Sequence, residues 1–200
     1  RIDGDVLTSV KASQKLVVLK QPIGVTAAIT PWNFPSAMIA RKAAPALAVG
    51  CAMIVKPASL TPLSAYALAL LAYEAGVPHD LLPVVSGRAS EISHEFATNP
   101  TVRKISFTGS TEVGAKIFAD SAADIKKLSL ELGGNAPFIV FDDADLDKAV
   151  EGALASKFRN SGQTCVCTNR VYAQSGIYDE FCRKLSEKVA ALKLGNGLED

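Results

Sequence analysis

The sequence has little net charge, no long basic segment and no long apolar segment. Its 200 residues include 21 Lys and Arg against 20 Asp and Glu, so the formal net charge is only +1. The sequence therefore predicts no extended positive patch that could bind nucleic acids or anionic membranes, and neither is an expected partner. The first residues lack a signal-peptide pattern, and no apolar stretch is long enough to cross a bilayer. These absences predict a globular protein of the cytoplasm or, alternatively, of an organelle matrix.

Cysteine and histidine are scarce as well. The four cysteines, at positions 51, 165, 167 and 182, are too few and too unevenly spaced for a disulfide framework. A single Cys-x-Cys without a second pair does not make a zinc site. His79 and His94 lie in polar, turn-like contexts without ligands at metal-binding spacing. The sequence therefore predicts reduced thiols and no metal.

Short apolar runs alternate with helical repeats along most of the chain. The patterns favour strands within 14–29 and over 51–55, 81–85 and 104–107, and helices over 36–49, 64–75, 90–97 and 110–121. This alternation is typical of a parallel sheet covered on both faces, so we expect an α/β, doubly wound, Rossmann-like domain. After KKLSLEL the pattern changes to the strand PFIVF, an Asp-rich helix start and the strand NRVYA. A second α/β domain is therefore expected to begin near Glu131.

Three polar residues are candidates for chemistry, and each has an ordinary alternative. Cys165 lies among small polar residues in a short loop, where an accessible thiol can act as a nucleophile. A buried structural cysteine is the more common alternative. Glu131, between Leu130 and Leu132, has an apolar setting that is expected to raise its pKa toward that of a general base; the alternative is a surface glutamate. Asn33, held between prolines, can donate to an oxyanion or form an ordinary Asx turn.

The motifs TPWNFP, KPAS, GSTEVG, LELGGN and SGQTCVCTNR together resemble the aldehyde dehydrogenase superfamily over essentially the whole chain. The resemblance implies that Cys165 attacks the aldehyde and that Glu131 activates the hydrolytic water. It also implies that Asn33 and the backbone N–H of Cys165 form an oxyanion hole. The implied cofactor is NADP or NAD, and its implied contacts are Trp32, Asn33, Lys56, Pro57, Ala58, Ser59, Gly109, Ser110 and Leu132.

Two of the cofactor segments can also be interpreted from their residues. Gly109 and Ser110 lie where a strand meets a helix N-terminus, whose free N–H groups and dipole attract a phosphate. The Gly109-x-x-x-x-Gly114 spacing alone is not the usual dinucleotide motif. Ser59 lies where family members that prefer NAD often have a glutamate, and a carboxylate there would repel a 2′-phosphate. We therefore expect that NADP is accepted and preferred.

Within the superfamily, the sequence around TPWNFP and from LELGGN to TCVCTNR is most similar to the succinate-semialdehyde dehydrogenases. This resemblance implies that Arg41 and Arg159 hold the distal carboxylate of the aldehyde, a role that suits the planar guanidinium. A solvated helix arginine at 41 and a helix C-terminal cap at 159 are the ordinary alternatives. Glutarate semialdehyde stays open as a substrate because one methylene changes binding by only ~1 to 3 kcal/mol.

Cys167 resembles a second cysteine that in some of these enzymes forms a reversible disulfide with the nucleophile, here Cys165. Oxidation would then switch the activity off. A disulfide between residues i and i+2 closes a strained ring and needs a mobile loop. An inert loop cysteine is therefore the alternative.

The resemblance also implies the domain organisation. Residues 1–23 are expected to belong to an oligomerisation hairpin, 24–130 to a partial NAD(P)-binding domain, and 131–200 to the first part of the catalytic domain. Family members are much longer and form homo-oligomers, dimers or tetramers, so the chain is expected to be an internal fragment. Two other functions stay open: a cofactor-binding fragment without turnover, and an acylating relative that transfers the thioester to coenzyme A. Glu131 disfavours the second, because such enzymes usually lack this base.

Overall fold

The computed structural model describes residues 2–198, which form two compact units. The first unit extends to Leu132 and the second begins at Gly133. The outermost residues of the expected first and last segments, Arg1, Glu199 and Asp200, lie outside the described residues.

The first unit contains six strands and four helices among its described residues. The strands are β1 (Asp5–Leu7), β2 (Leu16–Val18), β3 (Val25–Ile29), β4 (Met53–Lys56), β5 (Val102–Thr108) and β6 (Lys127–Glu131). The helices are α1 (Pro35–Ala48), α2 (Pro62–Glu74), α3 (Ala89–Thr98) and α4 (Thr111–Asp120). Strands β3 to β6 form one parallel sheet in the order β4-β3-β5-β6.

Helices cover both faces of this sheet because successive residues of each buried strand point to opposite sides. One apolar cluster joins strand residues such as Ala27 and Ile105 to Phe96 of α3 and Ile117 of α4. A second cluster joins strand residues such as Ala28 and Val55 to Ile39 and Ala43 of α1 and to Ala65 of α2. The prediction of a doubly wound, Rossmann-like α/β sheet is confirmed.

The prediction of a strand over 81–85 is wrong. His79–Leu81 forms a 3₁₀ turn, and only Val84 makes an isolated parallel bridge, to Val55. The amide of Val55 donates to the carbonyl of Pro83, and the amide of Val85 donates to the carbonyl of Val55. Pro83 has no N–H of its own, so the segment makes two bonds at the sheet edge and does not continue as a ladder.

The context of one of the two histidines differs from expectation. His94 is not in a turn but in α3, where its Nδ1 lies 3.6 Å from a carboxylate oxygen of Asp120. His79 is exposed in the 3₁₀ turn, as expected, and stacks on Tyr73 with ring centroids 4.0 Å apart. Within residues 2–198, no three metal-ligating side chains form a cluster that could hold an ion.

The second unit consists of two strands and two helices in the described part of the chain. They are β7 (Ala136–Val140), α5 (Leu146–Phe158), β8 (Thr168–Ala173) and α6 (Tyr178–Ala190). The two strands pair in parallel, and Val140, Val150, Ala153 and Phe181 form the buried core. Asp145 caps α5 by accepting the amide of Lys148, in agreement with the Asp-rich start seen in the sequence.

The N-terminal strands β1 and β2 form an antiparallel pair that leaves large apolar side chains exposed. Val6, Leu7 and Val17 are 78%, 51% and 59% exposed. A role of this pair in oligomerisation stays a prediction. No helix within residues 2–198 is long and apolar enough to span a membrane.

Candidate active site

Glu131, the last residue of β6, is held by two cations from α1. Nη1 of Arg41 lies 3.0 Å from Oε2 of Glu131, and Nζ of Lys42 lies 3.0 Å from Oε1. The ammonium of Lys42 also donates to the hydroxyl of Thr108 at 2.8 Å. Thr108 ends β5 directly beside Glu131 in the sheet register, so the two strand ends and α1 together fix this arrangement.

The expectation that the pKa of Glu131 is raised is wrong. Burial does raise the pKa of this carboxyl, but the hydrogen bonds and charges of Lys42 and Arg41 outweigh burial and bring it below its ordinary value. The flanking leucines suggested an apolar environment, whereas the Glu131 side chain is 40% exposed and has two cationic partners. In this arrangement the carboxyl is ionised near neutral pH and is a weaker base than expected.

Lys42 belongs to this site and was missed by the sequence interpretation. Its side chain is only 3% exposed. Lysine is almost never buried without a partner, so this burial agrees with its bonds to Glu131 and Thr108. A signal existed, because Lys42 follows Met38 and Ile39 at helical spacing on the buried face of α1. A lysine on an apolar helix face predicts an anion opposite it.

Asn33 and Trp32 lie on the short loop between β3 and α1. Trp32 is 44% exposed, and Asn33 is partly buried two residues before Pro35, the first residue of α1. The loop follows the carboxyl end of a central parallel strand, where ligands commonly bind in open α/β sheets.

Cys165 and Arg159 belong to the second unit, on the segment that joins α5 to β8. Asn160, Ser161 and Gly162 all have left-handed backbone conformations, with φ values of 50°, 55° and 77°. Two consecutive non-glycine residues in this region are unusual and store conformational strain. Cys165 is exposed at the end of this segment, so its thiol is accessible, as a nucleophile must be.

Cys167 has a different environment from Cys165. It is 1% exposed, and its sulfur accepts a hydrogen bond from the hydroxyl of Thr164 at 2.7 Å. All four cysteines are free thiols. A disulfide between Cys165 and Cys167 would require Cys167 to leave its buried position, so the redox switch stays a prediction.

The proposed cofactor segment KPAS begins with Lys56, the last residue of β4. Lys56 is 4% exposed, and its ammonium donates to the carbonyl of Pro57 at 2.9 Å. Burial lowers the pKa of this lysine. Pro57 is buried, Ala58 is partly buried and Ser59 is exposed.

The second cofactor segment lies at the start of α4. Ser110 caps the helix by accepting the amide of Val113, and the first-turn N–H groups give this end a positive dipole. Gly109 lies just before the cap, and Leu132 packs so closely on Gly114 that any Cβ at 114 would collide with it. The glycine therefore permits close contact between α4 and the residue that follows β6.

A cleft of about 240 Å³ lies between α3 and α4, and sequence reasoning missed it. Most of its lining surface is apolar, and polar and charged side chains also reach it; the lining residues are Ala89, Ser90, Ser93, His94, Val113, Lys116, Ile117 and Asp120. A helix N-terminus, a buried ammonium and an apolar cleft in one unit fit the phosphate, ribose and base of a dinucleotide.

Known proteins resemble this chain along its whole length. The profile of the aldehyde dehydrogenase family matches residues 1–200. The NADP(+) succinate-semialdehyde dehydrogenase of Escherichia coli (strain K12) is 64% identical over 200 residues, which are 100% of this chain and 42% of that protein. A glutarate-semialdehyde dehydrogenase of Pseudomonas putida is also 64% identical over 200 residues, 100% of this chain and 42% of that protein.

A solved structure gives the same result. The crystal structure of an E. coli NADP dependent enzyme matches with a TM-score of 0.96 and 64% identity, covering 100% of this chain and 41% of that chain. The chain thus spans about two-fifths of the length of these relatives. The resemblance noted in the sequence is confirmed, and the chain belongs to the aldehyde dehydrogenase family.

Proposed function

We propose that the complete protein oxidises succinate semialdehyde to succinate and passes the hydride to NADP or NAD. The observation that carries this proposal is the exposed thiol of Cys165, in a chain whose family is established. Glu131, at the carboxyl end of a parallel strand, supplies the base that the chemistry needs. The relative named as a succinate-semialdehyde dehydrogenase supports the substrate.

The proposed reaction uses Cys165 first as a nucleophile and then as a leaving group. Its thiolate adds to the aldehyde carbon, and the side-chain amide of Asn33 and the backbone N–H of Cys165 stabilise the resulting oxyanion. NAD(P), when bound, accepts the hydride that leaves this carbon. Water then gives a proton to Glu131 while its oxygen bonds to the thioester carbon, and the C–S bond breaks to release the acid.

The proposed cofactor contacts follow from the two segments of the first unit. The N-terminus of α4, with Gly109 and Ser110, would hold a phosphate, and Lys56 would bind the adenosine ribose or its phosphate. Ser59, unlike a glutamate, would not repel a 2′-phosphate, which favours NADP. The cleft between α3 and α4 would take the adenine ring. Trp32, Asn33, Pro57, Ala58 and Leu132 complete the proposed set.

The proposed substrate contacts are Arg41 and Arg159, which would bind the distal carboxylate. Both guanidinium groups are on exposed residues, so a ligand can reach them. A second candidate substrate is glutarate semialdehyde, because the relative with that name is equally similar to this chain.

The test is cofactor reduction by the purified complete protein. We expect reduction of NADP with succinate semialdehyde, a higher kcat/KM with NADP than with NAD, and loss of turnover in Cys165→Ala. Cys182→Ala, which changes a partly buried cysteine of α6, serves as the control and should keep its activity. Full activity in Cys165→Ala would rule out this mechanism. A higher kcat/KM with glutarate semialdehyde would favour the second substrate.

A further inference from the structure

The two cations that hold Glu131 are themselves held very differently. The Lys42 side chain is 3% exposed and also bonds Thr108, so it is fixed in place. The Arg41 side chain is 55% exposed, and among the described residues its Nη1 contacts, besides Glu131, only the sulfur of Met38, at a long 3.9 Å. Ion pairs between exposed side chains are weak. Arg41 can therefore leave Glu131, whereas Lys42 stays.

Two carboxylates can bind Arg41, that of Glu131 and that of a ligand. In the structure, Oε2 of Glu131 receives one N–H bond from Nη1. A ligand carboxylate can receive two parallel N–H bonds from one guanidinium, which is the stronger geometry. The substrate proposed above has such a carboxylate at the end opposite its aldehyde.

We propose that the distal carboxylate of the substrate takes Arg41 away from Glu131, and that this exchange frees Oε2 to accept the proton of the hydrolytic water. The inference rests on the proposed function and deepens it, because substrate recognition and activation of the base would share one residue. With a neutral aldehyde, Arg41 would stay bound to Glu131. The thioester formed from that aldehyde would then be hydrolysed more slowly because Glu131 is a weaker base, and not because the aldehyde binds less tightly.

The direction of the effect follows from electrostatics. A cation beside a carboxylate opposes its protonation, so Arg41 opposes the proton transfer from water to Glu131. When Arg41 turns to the substrate, only Lys42 remains, and the pKa of Glu131 rises toward its ordinary value. The water then loses its proton to Glu131, its oxygen bonds to the thioester carbon, and the thiolate of Cys165 leaves.

The test uses acetaldehyde and acetate, which together have the four carbons of succinate semialdehyde, so the aldehyde leaves room for a separate carboxylate. Quench-flow measures the decay of the acetyl thioester on the complete protein in a single turnover. In the unmodified protein, saturating acetate should speed this decay by about two- to fivefold, the range that corresponds to one exposed ion pair. In Arg41→Gln, decay should be fast without acetate, and acetate should add nothing.

Arg103→Gln is the matched control, because it removes another exposed arginine of the same unit, on β5. This variant should keep the slow decay and the response to acetate. If the thioester forms but neither acetate nor Arg41→Gln changes its decay, the exchange is wrong while the proposed function stands. If no thioester forms with any aldehyde, the proposed function itself fails. Should Arg41→Gln not fold, the acetate response of the unmodified protein still decides.

Discussion

The two edge strands of the parallel sheet, β6 and β4, end in opposite electrostatic arrangements. At the end of β6, the carboxylate of Glu131 is matched by two cations. At the end of β4, the buried ammonium of Lys56 bonds only a carbonyl, and among residues 2–198 it makes no ion pair. A buried charge without a counter-ion is costly unless a ligand supplies one. The first end is therefore complete within the protein, and the second has a cation to offer an anionic ligand.

The largest effect that tests this comparison is the loss of turnover rate that we expect in the Glu131→Gln variant. A glutamine cannot take the proton of water, so hydrolysis of the thioester should slow by at least about 100-fold, the lower range for general base catalysis. The first turnover should survive, because attack by Cys165 does not use this carboxylate. Rapid cofactor reduction should therefore give a burst of one equivalent per Cys165, followed by very slow turnover.

The control for this variant is Glu151→Gln, which changes an exposed glutamate of α5. It should turn over like the unmodified protein. If Glu131→Gln loses the burst as well as the steady state, Glu131 is required before hydrolysis and the role assigned to it is wrong.

The next largest effect concerns Lys56→Met at the other strand end. Loss of a charge-assisted hydrogen bond, worth about 1.5 to 3 kcal/mol, should raise the Kd for NADP by roughly tenfold or more. Stability should not fall in parallel, because replacing a buried charge that has no counter-ion by an apolar side chain is often neutral or stabilising. Calorimetric titration and thermal unfolding of the complete protein measure the two effects separately.

Lys104 provides a matched control for Lys56. Burial lowers the pKa of Lys104 as well, with added repulsion from Lys127 and Lys42, and its ammonium bonds the hydroxyl of Ser129. Lys104→Met should leave the Kd for NADP unchanged. An equal loss of affinity in both variants would mean that Lys56 acts through general electrostatics and that the contrast between the strand ends is not functional.

The elements of the sheet could be predicted from sequence because their signals are local. The helix expected over 36–49 is observed as Pro35–Ala48, and the strand expected over 104–107 as Val102–Thr108. The prediction of a strand over 81–85 was wrong because the apolar residues of this segment resemble a strand, while Pro83 limits its pairing to a single bridge.

The partners of Glu131 could not be predicted in the same way. Arg41 and Lys42 are 90 and 89 residues away in sequence, and only the folded sheet places them beside β6. The leucines next to Glu131 gave a local apolar signal, and that signal led to the wrong direction for its pKa. The sign of a pKa shift depends on which charges the tertiary structure brings close, and short-range sequence does not contain that information.

The smallest effect is the pH dependence of stability at the end of β6. The pKa of Glu131 is lower in the folded than in the unfolded state, so its ion pairs stabilise the protein above the unfolded pKa. That contribution is lost as the pH falls through the folded value. Because the carboxylate is 40% exposed, screening should limit the contribution to roughly 0.5 kcal/mol. In urea unfolding, Glu131→Gln should be less stable than the unmodified protein by this amount at about pH 7, and the difference should disappear as the pH falls through the folded pKa of Glu131. A difference that persists unchanged in acid would show that packing, not charge, holds Glu131 in place.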